Sequence, residues 1–453
     1  MKFKSINPYN EEILNEFQEH TLTEINAILN QAEEGFKKWR ATTFSSRAEI
    51  MKRVAALLVQ NVDTYAKTIT LEMGKPLMES KAEVKKCAWV CEYYAEEAEK
   101  MMALKTIKTD AFESYVTHEP MGCILAIMPW NFPFWQVFRF AAPALMGGNV
   151  GLLKHASNVF GCAVHIENIF KEAGAPLGAF QNLFLHHDKV EYLLAQDVVK
   201  AVTLTGSEIA GASVASIAGK NIKKSLLELG GSNAFVVLAD ADLDNAVSVG
   251  VNARMLNSGQ SCIASKRFIV HESVYEEFVG KFTKIVSQLK AGDPIEEGTK
   301  IGTLARKDLA DTLKKQVDES VQMGALIKIG GHQKNAFFEP TVLTNITRDM
   351  PVFKEETFGP VAPIMKFKNI DEAFELANDS QFGLGVSVFT KDLDKLKPYI
   401  SKINDGAFFV NDLVKSDPRL PFGGTKKSGY GRELSQEGIL EFVNVKTVYI
   451  KKG

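Results

Sequence analysis

Apolar residues fall along the chain in two rhythms. Over roughly the first hundred residues the pattern reads as helical, and hydroxyl side chains stand three places ahead of carboxylates at Thr21/Glu24, Ser46/Glu49 and Ser80/Glu83. A hydroxyl N-cap with a carboxylate at N3 satisfies free N–H groups at a helix start, so three long helices are expected here. Cys87 and Cys91 lie four apart on the third, on one face with Ala88 and Tyr94. Without a histidine or carboxylate partner they read as a packed thiol pair.

From about residue 115 the texture changes to short apolar runs between helical stretches. Strands are expected at 123–128, 150–154, 180–185, 201–205 and 223–229, with helices ending near residues 146, 173 and 218. That alternation predicts a parallel sheet with crossover helices, whose ligands bind beyond the carboxyl ends of the strands. Those ends read Pro129-Trp130-Asn131, Lys154-His155-Ala156-Ser157, Thr205-Gly206-Ser207 and Glu228-Leu229-Gly230-Gly231. A second α/β unit begins near Asn233 and runs to about residue 420, with strand candidates at 235–238, 267–270, 327–329, 386–390 and 406–410. No Pro- or Ser-rich linker separates the two, so they are expected to pack together.

Composition narrows the function classes. The 453 residues are 45% apolar and 24% charged with a net charge of -2, which leaves no field to attract nucleic acid or an acidic membrane. Five scattered cysteines without a CxxC pair suit a reducing compartment and suggest no metal site. No apolar segment follows Lys2 and Lys4, and the most apolar stretch, 121–153, is interrupted by Pro129, Pro133, Arg139 and Pro143. A cytoplasmic protein acting on small molecules is expected.

Three residues at these loops carry chemistry. Cys262 sits in Asn257-Ser258-Gly259-Gln260-Ser261-Cys262, a polar turn read as an exposed loop, where a thiolate is a strong nucleophile. Taken alone, a single cysteine is more often a buried small hydrophobe. Glu228 closes a strand ahead of two glycines, a semi-buried place for a general base, the alternative being a helix-capping or ion-pair carboxylate. Asn131 closes another; its amide suits a developing oxyanion, although a turn residue is the plainer reading.

Read together, Pro129-Trp130-Asn131-Phe132-Pro133, Glu228-Leu229-Gly230-Gly231-Ser232 and Gly259-Gln260-Ser261-Cys262 resemble the aldehyde dehydrogenase superfamily, with Glu228 and Cys262 34 residues apart. Thr205-Gly206-Ser207 with Gly211, the run Lys354 to Pro360, and Pro421-Phe422-Gly423-Gly424 through Ser428-Gly429 extend the resemblance over nearly the whole chain. It implies an α/β fold with a Rossmann-like cofactor domain (1–104 and 121–229), an α/β catalytic domain (230–425) and a small β oligomerisation element (105–120 and 426–453). A homodimer or homotetramer is implied as well. So is NAD(P)-dependent oxidation of an aldehyde to an acid: Cys262 attacks, Asn131 and the Cys262 N–H hold the oxyanion, and Glu228 activates water against the thioester.

The chain contains no GxGxxG. The resemblance instead assigns the cofactor to Met128, Pro129, Trp130, Lys154, Ser157, Thr205, Gly206, Ser207, Leu229, Glu356 and Phe358, with Gly206 and Ser207 opening a helix whose free N–H groups favour a pyrophosphate. Many NAD-preferring members carry a carboxylate where this chain has Ser157. A hydroxyl beside Lys154 removes that repulsion toward a 2′-phosphate, which favours NADP over NAD.

For the substrate, Arg139 stands in an otherwise apolar helix, either snorkelling to a surface or awaiting an anion. Succinate-semialdehyde dehydrogenases are similar here, with an arginine for the substrate carboxylate and a serine matching Ser416. Phe132, Trp135 and Phe422 are expected to line the entrance. Two positions depart from that group: Leu256, where a second arginine often stands, and Ala264, where a second cysteine can. Succinate semialdehyde is the expected substrate, with another carboxylated or medium-chain aldehyde as the alternative; a cofactor-independent thioester or ester hydrolase is the competing class.

Overall fold

In the computed structural model, which describes residues 2–453, the chain opens with a hairpin before its first helix. Lys2–Ile6 pairs antiparallel with Ile13–Gln18, and its burial alternates, with Phe3 and Ser5 turned inward. The hairpin corrects the helical reading of the first hundred residues: the period-two pattern of its first strand is only five residues long, too short to stand out in the sequence.

Four helices follow in place of the three expected. Leu22–Arg40 starts at the Thr21/Glu24 capping box, with bonds in both directions. Phe44–Gln60 is capped by Thr43, so Ser46 supplies the capped N–H and not the cap. Val62–Met73 ends at Gly74, which takes φ +78°. Leu77–Met101 begins after Pro76, which puts Ser80 and Glu83 inside it. The Glu83 carboxylate caps another helix: it accepts the N–H groups of Phe134 at 2.9 Å and Trp135 at 3.0 Å, at the start of Trp135–Met146, while pairing with Lys75. Cys87 and Cys91 are fully buried, and burial raises both thiols well above their ordinary pKa.

Two sheets position the site. The first runs Gly429–Tyr430, Lys224–Glu228, Val199–Thr205, Cys123–Met128, Val150–His155 and Phe180–Asn182, parallel except for its first strand. The chain leaves Cys123–Met128 toward one edge and returns on its other side with Val199–Thr205, so the strand order reverses between these two. A crevice at the carboxyl ends is expected at such a reversal.

The second sheet runs Leu326–Ile329, Thr341–Thr344, Val361–Phe367, Ser265–His271, Asn233–Val237, Val386–Phe389 and Phe408–Val410. Ala234 and Val236 enter one apolar cluster and Phe235 and Val237 another, which is why the run reads as continuously apolar: both faces are covered. Thr341–Thr344 and Val361–Phe367 were not foreseen; Pro363 in the latter argues against a central strand. Between the sheets the chain spends only residues 229–232. The carboxyl edge of the first sheet therefore meets the amino edge of the second.

A third, antiparallel sheet joins Val443–Ile450, Glu113–Pro120 and Lys105–Thr106. Among the described residues no helix is long and apolar enough to cross a membrane.

Candidate active site

Where the two sheet edges meet, a cavity of about 360 Å³ opens at the strand-order reversal. Pro129, Trp130 and Asn131 reach it from the Cys123–Met128 strand, Thr205, Gly206 and Ser207 from the adjacent strand, and Leu229 from the crossing. Cys262, Glu356 and Phe358 come from the second sheet's side. A second cavity, of about 320 Å³, is lined by Phe132, Trp135, Arg139, Ser416 and Phe422. Cys262 and Gln136 line both. The thiol thus stands between two chambers.

The loop carrying Cys262 is not the exposed turn that its polar residues suggest. Asn257, Ser258 and Gln260 have no exposed surface, and Cys262 is half-buried. Asn257, Ser258 and Gly259 take φ +56°, +50° and +76°, a tight left-handed run. Side-chain bonds hold it. Asn257 Nδ2 donates to the carbonyls of Asn131 (2.7 Å) and Gln260 (3.1 Å), Gln260 Oε1 accepts the Ala305 N–H, and Lys266 Nζ donates to the Cys262 carbonyl at 2.9 Å. Buried polar loops survive only when their groups are satisfied in this way. Burial pushes the Cys262 thiol up to about 11, with Arg139 and Lys266 pulling it back.

Asn131 is fixed in one orientation. Its Oδ1 accepts from Gln136 Nε2 at 3.0 Å, and its Nδ2 donates one hydrogen to the Gln260 carbonyl at 3.0 Å. A flipped amide would set two donors against each other at Gln136. The second Nδ2 hydrogen and the Cys262 N–H meet no acceptor among the described residues, so two donors remain free beside the thiol. Gln136 was not singled out from the sequence; as the fifth residue after Asn131, in a helix, it carried no motif.

Glu228 lines neither cavity. It is buried at the end of its strand against Gly423, where an added Cβ would stand 2.9 Å from its Oε1. Neither carboxylate oxygen makes a well-formed hydrogen bond among the described residues. Burial pushes its pKa up to about 8, Arg139 opposing the rise and Glu433 adding to it.

The first cavity suits a dinucleotide. Ser207 caps the 13-residue helix Glu208–Lys220, accepting the Ala210 N–H, and leaves the first N–H groups of that helix beside Gly206. Glu356 is held by Lys266 at 2.8 Å and by the Gly231 N–H at 3.0 Å, and an added Cβ on Gly230 would stand 2.5 Å from its Oε2. Only glycine leaves that space. Phe358 packs edge-on against Trp130, with ring centroids 5.7 Å apart. Met128, Lys154 and Ser157 lie outside the cavity: Met128 and Lys154 near the ends of their adjacent strands, Ser157 at the start of the short helical turn after Val150–His155. The Met128 carbonyl is already bonded to the Ala156 N–H, and Ser157 is exposed. Arg306 and Leu309 line the cavity unforeseen.

In the second cavity the five expected residues come together, but Arg139 is not unpaired. Its guanidinium forms a buried ion pair with Glu433, reaches Thr205 Oγ1 at 3.3 Å and lies over the Phe422 ring at 4.5 Å. The apolar helix face tolerates the charge because a carboxylate from the distant C-terminal region neutralises it. Lys86 enters the same cavity; its Nζ donates to Ser416 Oγ at 2.9 Å and lies 4.1 Å from the Trp135 ring. Trp135 Nε1 also donates to Ser416 Oγ, at 2.9 Å. Leu256 lines the cavity as a hydrophobe.

Comparisons with known proteins show the family of the chain. A model of the aldehyde dehydrogenase family matches residues 1–448. A probable NADP-dependent succinate-semialdehyde dehydrogenase of Synechocystis sp. is 50% identical over 453 residues, covering 99% of this chain and 100% of that one. Succinate-semialdehyde dehydrogenase [NADP(+)] 1 of Mycobacterium tuberculosis is 47% identical over 456 residues, covering 99% and 100%. The crystal structure of succinic semialdehyde dehydrogenase from Streptococcus pyogenes, in complex with NADP+, matches with a TM-score of 0.96 at 39% identity over 99% of this chain and 100% of that one.

Proposed function

The chain belongs to the aldehyde dehydrogenase family, whose members oxidise aldehydes to carboxylic acids, and on that premise we propose that it oxidises succinate semialdehyde to succinate with NADP. One observation carries the reading: Cys262 stands between a chamber suited to a dinucleotide and a chamber containing cationic side chains and a serine hydroxyl.

The chemistry follows from the side chains. Cys262 Sγ adds to the aldehyde carbon and its proton passes to solvent water as the bond forms, because burial disfavours a free thiolate. The free Nδ2 hydrogen of Asn131 and the Cys262 N–H take the developing oxyanion. When bound, the cofactor supplies the hydride acceptor that turns the thiohemiacetal into a thioester. Glu356, the start of the helix Glu208–Lys220, Lys154 and Ser157 would hold that cofactor. Glu228 then takes a proton from the attacking water, leaving its place against Gly423 to do so, and succinate departs.

Residues 1–104 and 121–229 form the cofactor-binding part in this reading, 230–425 the catalytic part, and 105–120 with 426–453 the oligomerisation element. The edge strand Val443–Ile450 exposes Val445, Tyr449 and Ile450, and pairs copies into a homodimer or homotetramer in the cytoplasm. Absorbance at 340 nm, followed with a panel of aldehydes and both cofactors, tests the proposal. Turnover of succinate semialdehyde with NADP, abolished in Cys262→Ala, is expected; ester hydrolysis without any nicotinamide points to the competing hydrolase.

A further inference from the structure

Arg139 is the cation that the sequence offers for a substrate carboxylate, yet its charge is already balanced by Glu433 at 2% and 4% side-chain exposure. Leu256, on the wall of the same cavity, offers none. Lys86 is different. It enters the cavity from the helix Leu77–Met101 and makes no ion pair with any described carboxylate. Its one hydrogen bond goes to Ser416 Oγ, and a second N–H direction is taken by the Trp135 ring. Glu83, one turn earlier on the same helix, is occupied by Lys75 and two backbone N–H groups, and Asp417 is occupied by Arg419.

Ser416 Oγ accepts from both Lys86 Nζ and Trp135 Nε1, and its own hydrogen is donated to no described group. Two donors therefore converge without an acceptor: the remaining Lys86 N–H and the Ser416 O–H. A lysine ammonium and a hydroxyl at hydrogen-bond distance from each other make a seat for one carboxylate. We propose that Lys86, acting with Ser416, recognises the distal carboxylate of the substrate, and that Arg139 serves the reaction centre and not the substrate anion. The inference rests on the reading that the substrate is a carboxylated aldehyde.

Burial, with Arg139 second, lowers the Lys86 pKa to about 8, while Cys87, Asp417 and Glu83 act in the opposite sense. The seat is charged below that pH and empties of charge above it, so KM for the semialdehyde rises on the alkaline side while that of an uncharged aldehyde does not follow it.

The decisive measurement is the ratio of kcat/KM for succinate semialdehyde to that for butanal, with NADP, in the wild type, Lys86→Met and Lys86→Arg. Lys86→Met should lower this ratio by about 10- to 100-fold, and Lys86→Arg should restore most of it. A wild-type preference for the semialdehyde that survives Lys86→Met, including an equal loss on both aldehydes, overturns the role of Lys86 and leaves the substrate reading standing. A wild type with no preference for the semialdehyde overturns the substrate reading, and the proposal with it.

Discussion

The guanidinium of Arg139 is paired with the carboxylate of Glu433, and the pair is buried beside Glu228 and within electrostatic reach of Cys262. The arginine charge favours the ionised forms of Glu228 and Cys262, whereas Glu433 opposes ionisation of Glu228. Removing one partner of a buried pair leaves the other charge uncompensated, at a cost of about 3–5 kcal/mol. Glu433→Gln should accordingly lower the melting temperature measurably. It should also shift the acidic limb of the kcat profile to lower pH, because the carboxylate that raises the Glu228 pKa is gone. A limb that stays in place would separate Glu433 from the reaction.

Glu228 gives a stability prediction of defined sign. Its folded pKa of about 8 lies above its ordinary 4.5, so its contribution to stability is complete below pH 4.5 and is lost as pH rises through 8. Glu228→Gln, which cannot ionise, should be more stable than the wild type at pH 8, with the gain shrinking toward pH 5. Thermal melts across that range read this directly. The same ionisation places the rise of wild-type kcat near pH 8 where thioester hydrolysis limits turnover.

Much of this was legible in the sequence. The central strand 123–128 and the residues that close four strands follow from the alternation of apolar runs, because parallel strands covered on both faces read as uninterrupted apolar segments. The hidden parts have physical causes. Lys86 sits in a charged amphipathic helix where nothing marks one lysine from its neighbours. Glu433 meets Arg139 across almost 300 residues of sequence. The Cys262 loop looked exposed because its residues are polar, but their polarity is spent on internal hydrogen bonds.

Gln136 Nε2 donates to Asn131 Oδ1 at 3.0 Å. Gln136→Leu removes the donor that fixes the amide, so the oxyanion donor rotates out of place for part of the time. Losing such a donor outright costs about 100- to 1000-fold in kcat, and Gln136→Leu should cost a part of that, chiefly in kcat and little in KM. A change confined to KM would assign Gln136 to binding alone.

Ser157 is exposed beside the carboxyl end of Val150–His155. Ser157→Glu introduces the carboxylate that repels a 2′-phosphate and bonds ribose hydroxyls. The ratio of kcat/KM for NADP to that for NAD should fall by at least about tenfold. An unchanged ratio would locate the cofactor choice elsewhere on the chamber.

Cys262 is expected to carry the acyl group between the two chambers. Mass analysis of Glu228→Gln after incubation with succinate semialdehyde and NADP tests it, since that variant forms the thioester but hydrolyses it slowly. One succinyl group on the peptide containing Cys262 is the predicted result. An unmodified Cys262 during turnover, or an acyl group on another residue, would contradict it.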